Sequence, residues 1–122
     1  MRVNIKNVSN PYRVPSTTAE PIFVITTLRN PEGKNLFPSP PRAVGFYYKL
    51  QDAIAAIEDN FCDIYEDDYY PIVVIEEVYA GIYTLISNIS KEYWFKWNVK
   101  KGKYCKIKKP SVFSHMIGFG IS

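Results

Sequence analysis

The chain is poor in the residues that advertise chemistry. Of its 122 residues two are cysteine and one is histidine. Cys62 and Cys105 lie far apart, without His or Cys neighbours at zinc spacing, so neither a zinc site nor a disulfide framework is expected and both are read as reduced thiols in or near the core. His115, the single imidazole, stands in a glycine-bearing tail with no nucleophile beside it. No apolar run approaches the roughly 20 residues that cross a bilayer, and the opening MRVNIKNVSN has no apolar signal-peptide core. The expectation is a cytoplasmic protein without membrane contact, in which the sequons at Asn7 and Asn88 stay unmodified. G-x-S-x-G, H-E-x-x-H, the P-loop and G-x-G-x-x-G are all missing, and Gly118-Phe119-Gly120 lacks the third glycine of the last. No cofactor is expected.

Aromatic rings and segregated charge are plentiful. Ten Tyr, seven Phe and two Trp make 16% of the chain. Tyr tolerates half-burial, ring packed and hydroxyl wet, so this excess means either a thin core or a recognition surface. The net charge of +3 conceals three blocks: residues 1–49 carry seven Lys or Arg against two acids, residues 50–90 nine acids and no base, and residues 91–122 eight Lys against one acid. Blocks that stay apart give a dipolar surface; blocks that meet, across a sheet or between protomers, neutralise each other and favour a homo-oligomer. The length fits one domain. Residues 1–20, with Pro11 and Pro15 among isolated hydrophobes, read as an N-terminal arm in which Val3 and Ile5 alternate with polar residues, and residues 21–122 as a single domain.

Residues 42–60, RAVGFYYKLQDAIAAIEDN, carry the clearest pattern. Val44, Phe46 and Tyr48 alternate with Ala43, Gly45 and Tyr47 as in a half-buried strand. From Leu50 the period changes, and Leu50, Ile54, Ile57 and Phe61 share one helical face with Ala53 beside them. Lys49 is a poor N-cap, and a helix of about three turns needs a sheet to lie on. Residues 21–29, PIFVITTLR, and 71–78, PIVVIEEV, read as strands, the latter buried through its first half. Residues 92–98 and 103–108 form a hairpin about the turn 99–102. Leu36 and Phe37 in the proline-rich loop 30–41 either pin that loop or form a lid, Gly81 serves a turn, and residues 111–117 form a turn of helix before an extended end. Asp63, Glu66, Asp67 and Asp68 belong to a solvated acidic loop without the glycine pattern of an EF-hand, so no metal site is expected. The order β-β-α-β-β-β predicts an α+β fold, mostly antiparallel, with one main helix at 50–60. Strands 43–48 and 71–76 should be parallel neighbours or one strand apart.

The hairpin is the expected binding surface. Sorting its residues by polarity sends Tyr93, Phe95, Trp97, Cys105 and Ile107 to the core and leaves Trp94, Tyr104, Lys96, Lys106 and Lys108 together on the outer face. Rings interleaved with ammonium groups suit a ligand with a π-face and phosphates, and Arg42 and Arg29 are further candidate phosphate partners. The alternative is a lysine edge that discourages aggregation. Glu76 and Glu77, with Asp63 or Glu66, have the chemistry of a general acid and base, but paired carboxylates at a strand end are more often structural.

Gly45-Phe46-Tyr47, Ala53-Ile54 through Asn60, Cys62-Asp63-Ile64, Tyr69, Val74-Ile75-Glu76-Glu77, Gly81-Ile82-Tyr83 and Trp94-Phe95-Lys96-Trp97 together resemble a small, mostly uncharacterised family of clostridia, related Firmicutes and their phages. The likeness covers about residues 43–110 and departs at Lys49, where Ser or Thr is usual before the helix. It implies a phage setting in the host cytoplasm. Proteins of this size in that setting commonly counter host immunity, one mode being a non-catalytic sponge that sequesters a cyclic-nucleotide or ADP-ribose type signal. The leading expectation is therefore a binding protein for a nucleotide-derived small molecule, with no long nucleic acid as partner. A protein-binding inhibitor or adaptor that meets a host protein through the acidic 50–90 surface is the second reading. A small hydrolase acting through Glu76, Glu77 or His115 is the third.

Overall fold

In the chain's centre lies the most buried strand. The computed structural model describes residues 20–29, 40–80, 91–114, 116 and 118–120; the arm, Leu36, Phe37, Gly81 and His115 lie outside the described residues. The elements are β1 (Ile22–Leu28), β2 (Arg42–Tyr47), α1 (Leu50–Glu58), β3 (Ile72–Val78), β4 (Glu92–Asn98) and β5 (Lys103–Ile107). The strands form one five-stranded sheet in the order β2-β1-β3-β4-β5, and every neighbouring pair is antiparallel. The expected α+β fold is the fold found. β2 and β3 both run antiparallel to β1, which lies between them, so they are parallel to each other and one strand apart.

Every residue of β3, IVVIEEV, is buried, which a continuous β-branched run tolerates only when both faces of its sheet are covered. One face is covered by α1, whose Ala53 and Ile57 pack with Ile25, Val73, Ile75, Phe95 and Tyr104. Burying Ile57 and Ile75 contributes about 1.5–3 kcal/mol each. The Tyr104 hydroxyl donates to the Tyr70 carbonyl, which closes the loop after α1 onto the far edge of the sheet. On the opposite face Leu28, Ile72, Val74 and Trp94 lie under Phe113 and Phe119 of the C-terminal tail. Packing against these two faces stabilises α1, because Lys49 gives no side-chain cap.

Two apolar faces expected from periodicity are placed differently. Asn60 turns into the left-handed region at φ 48°, so the chain leaves the helix before Phe61, which is 61% exposed. Val44, Phe46 and Tyr48 are exposed as well. β2 is an edge strand with an irregular register between Ile25 and Thr26, where Ile25 meets Gly45 and Thr26 meets Ala43. That bulge at Val44 shifts the alternation, and Tyr47 becomes the β2 ring packed on the core.

The tail is fastened by a buried carboxylate. Phe119 N–H donates to Glu76 Oε2 and Gly120 N–H to Oε1, each at 2.9 Å, and Gly118 adopts φ +71° to aim the backbone. Glycines that failed as a nucleotide fingerprint thus cradle a side chain of the same molecule. Gly120 also sits too close for any other residue. A Cβ there would lie 2.7 Å from Thr26 Oγ1 and 2.8 Å from Val24 Cγ1. Gly120→Ala is expected to lower stability by about 1–3 kcal/mol, measured by urea unfolding; an unchanged midpoint would show that the tail is not seated this way.

Candidate ligand-binding cleft

The loop between α1 and β3 builds one wall of a cleft at the end of the sheet. Asn60, Cys62, Asp63, Glu66, Asp67 and Asp68 all have positive φ without a glycine among them. Asn and Asp tolerate this region better than most residues because their short side chains bond locally. Asp63 N–H donates to the Asn60 carbonyl, Glu66 N–H to Asp63 and Tyr69 N–H to Glu66, so the segment winds as successive tight turns. Asn60 Oδ1 accepts the Tyr65 N–H at 2.9 Å. The acidic residues therefore serve turn chemistry, and among the described residues no group of three or more His, Cys, Asp or Glu could hold a metal ion.

These turns carry two rings toward the sheet. Tyr65 stacks on Trp97 of β4 with ring centroids 3.8 Å apart and planes 8° from parallel. The Tyr65 hydroxyl donates to Asp68 at 2.9 Å; desolvation, then that hydrogen bond and the nearby carboxylates, raise the phenol above its ordinary value. Tyr69 lies under the Arg29 guanidinium, 4.1 Å from ring centroid to Cζ, a cation–π contact. Arg29 arrives directly after β1, and the row Leu28, Ile72, Lys96 across β1, β3 and β4 brings Lys96 to the same end of the sheet. Arg29, Tyr65, Asp68, Tyr69, Lys96 and Trp97 line a half-open cleft of about 320 Å³. Neither Arg29 nor Lys96 makes an ion pair among the described residues.

The expected shared face of the hairpin does not form. Trp94 pairs with Ile107, Phe95 with Lys106, Lys96 with Cys105 and Trp97 with Tyr104. Residues paired across a ladder point to the same face, so Trp94 and Lys96 lie opposite Tyr104 and Lys106. Trp94 is 3% exposed beneath the tail and Tyr104 is fully buried beneath α1. Neither ring can receive a ligand. Arg42 pairs with Glu66 at 2.8 Å, an exposed contact that ties β2 to the turn loop and is worth little energy in itself. Lys106 and Lys108 border a shallow hollow of about 500 Å³ with Glu92, Tyr93 and Lys109. There Lys109 is held by Glu92 at 3.0 Å and by the Met116 carbonyl at 2.7 Å, and the enclosed indole offers no face for stacking.

Of the expected site residues, Arg29 and Lys96 are thus the two brought together with rings. Tyr65, Tyr69 and Trp97 were missed as ligand groups, although FCDIYEDDYY does interleave its acids with aromatics. The carboxylates of the hydrolase reading are committed elsewhere. Glu76 is 1% exposed and holds the tail, and Glu77 accepts the Tyr79 hydroxyl at 2.8 Å. Among the described residues no helix is long and apolar enough to cross a membrane. No family model, curated protein or solved structure matches the chain.

Proposed function

We propose that the chain is a non-catalytic binding protein for a small nucleotide-derived anion, held in the cleft at the end of the sheet. The observation that carries this reading is the convergence of Arg29 and Lys96 with Tyr65, Tyr69 and Trp97 about a volume of roughly 320 Å³, within the range of small-molecule sites. Two cations supply phosphate partners, and Tyr69, 43% exposed, retains ring surface against which a base can pack. Asp68, the cleft's carboxylate, accepts the Tyr65 hydroxyl and so helps shape the wall. Retention of such a ligand without cleavage is the sponge role implied by the likeness to phage proteins.

Titration calorimetry with ADP-ribose, AMP and a cyclic dinucleotide tests this. Wild type is expected to bind at least one of them, and Arg29→Gln or Lys96→Gln to weaken binding about tenfold or more, the worth of a charge-assisted hydrogen bond. Chromatography of the bound ligand should return it intact. Absence of heat with all three, or equal affinity in both variants, would remove the proposal.

A further inference from the structure

The sheet has two outer strands, and they are defended differently. β5 exposes Lys103 and Lys106 along its length, and lysines on an edge resist the addition of another strand. β2 has no charge between Arg42 and Lys49. Among the described residues it pairs with β1 alone. Its Val44, Phe46 and Tyr48 are 38%, 50% and 75% exposed, and Phe61 adds a ring at 61%. Between β2, α1 and Phe61 opens an apolar hollow of about 210 Å³, floored by Ile25 and Ile64. Around this centre the rim is acidic. Asp52, Glu58 and Asp59 on α1 and Asp63 on the following loop are all exposed, and Arg42 is the nearby cation, already paired with Glu66.

We infer that the β2 edge receives an extended segment of a partner protein, which adds as a strand and carries apolar residues alternating with Lys or Arg. Strand addition supplies main-chain hydrogen bonds, and pockets that take alternate side chains supply selectivity. The bulge at Val44 confines regular pairing to the stretch after it. One apolar side chain of the incoming segment therefore fills the hollow, and its basic residues meet the acidic rim. Charge decides the occupant. A second copy's β2 would bring like-charged rims together, which is unfavourable. This inference stands apart from the cleft reading and uses none of its residues.

The test uses the full chain, isotopically labelled, and two synthetic ten-residue peptides, one alternating Val with Lys and one alternating Val with Glu. The Lys peptide is expected to shift the amide resonances of residues 43–48, and to bind at least tenfold more tightly than the Glu peptide. Raising salt from 0.05 to 0.5 M should erase most of that difference. Phe46→Lys is expected to abolish the shifts, with thermal unfolding checked alongside. Three results would each overturn the inference: equal response to the two peptides, no shift at β2 with either, or β2 amides already protected from exchange in the free chain. The last would mean that residues 1–19 or a second copy fills the edge, and sedimentation at two concentrations tells these apart.

Discussion

Trp94→Ala is expected to cost about 3–5 kcal/mol of folding stability and to leave ligand binding, where any folded protein remains, unchanged. The indole is 3% exposed, stacks near-parallel on Phe113 at 5.4 Å and meets Phe119 edge-on at 5.2 Å. Its Nε1–H donates to Glu92 at 3.1 Å. Truncation empties the centre of the face beneath the tail, and neither Phe can follow the missing ring without giving up contacts of its own. For a domain whose whole stability is about 5–15 kcal/mol, that loss lowers the melting temperature by roughly 10–20 °C. Thermal and urea unfolding measure it. A variant that melts like wild type but no longer binds nucleotide would move the site to the hairpin after all.

Glu76→Leu is the second large effect. The carboxylate accepts two backbone N–H groups from the tail, and leaving each buried donor without an acceptor costs about 1–3 kcal/mol. Glu76→Gln keeps one acceptor and removes the titration. Burial raises the Glu76 carboxyl above its usual value of 4.5; the N–H donors of Phe119, Gly120 and Gly118 pull it down, and Glu92 across the strand pushes it up, leaving the net direction upward. The folded chain therefore binds the proton more tightly than the unfolded chain does. Stability from this linkage is complete below pH 4.5 and is lost as pH rises through the raised value. Wild type should lose ground to the Gln variant over that window. The groups facing Glu76 are the tail backbone and Glu92, whose charge Lys109 partly balances. Urea unfolding at a series of pH values measures the difference; a flat difference, or a Leu variant as stable as wild type, would show that the carboxylate does not fasten the tail.

The hairpin shows how legible the site was and where the reading failed. The turn 99–102 has four residues, which sets Asn98 opposite Lys103 and, by counting back, Trp97 opposite Tyr104 and Trp94 opposite Ile107. That register was present in the sequence. Sorting the residues by polarity overrode it, placing Cys105 and Ile107 with Phe95 and releasing Trp94 and Tyr104 together to solvent. Such sorting assumes one wet face, and this sheet has none at its centre. The buried β3 run was the warning, since all of IVVIEEV is enclosed.

By itself the sequence determined what neighbouring residues settle among themselves. The change of period at Leu50, the β-branched runs of β1 and β3, the glycine-bearing turn before β5 and the order of elements all arise from sterics within a few residues. Tertiary structure decided what covers what. The contact of Glu76 with Phe119 spans 43 residues, and the cleft draws Arg29, Tyr69 and Lys96 from three separate segments. An apolar face specifies only that it must be buried, and a free N–H only that it needs an acceptor. Which partner satisfies either depends on the strand order that brings distant segments side by side.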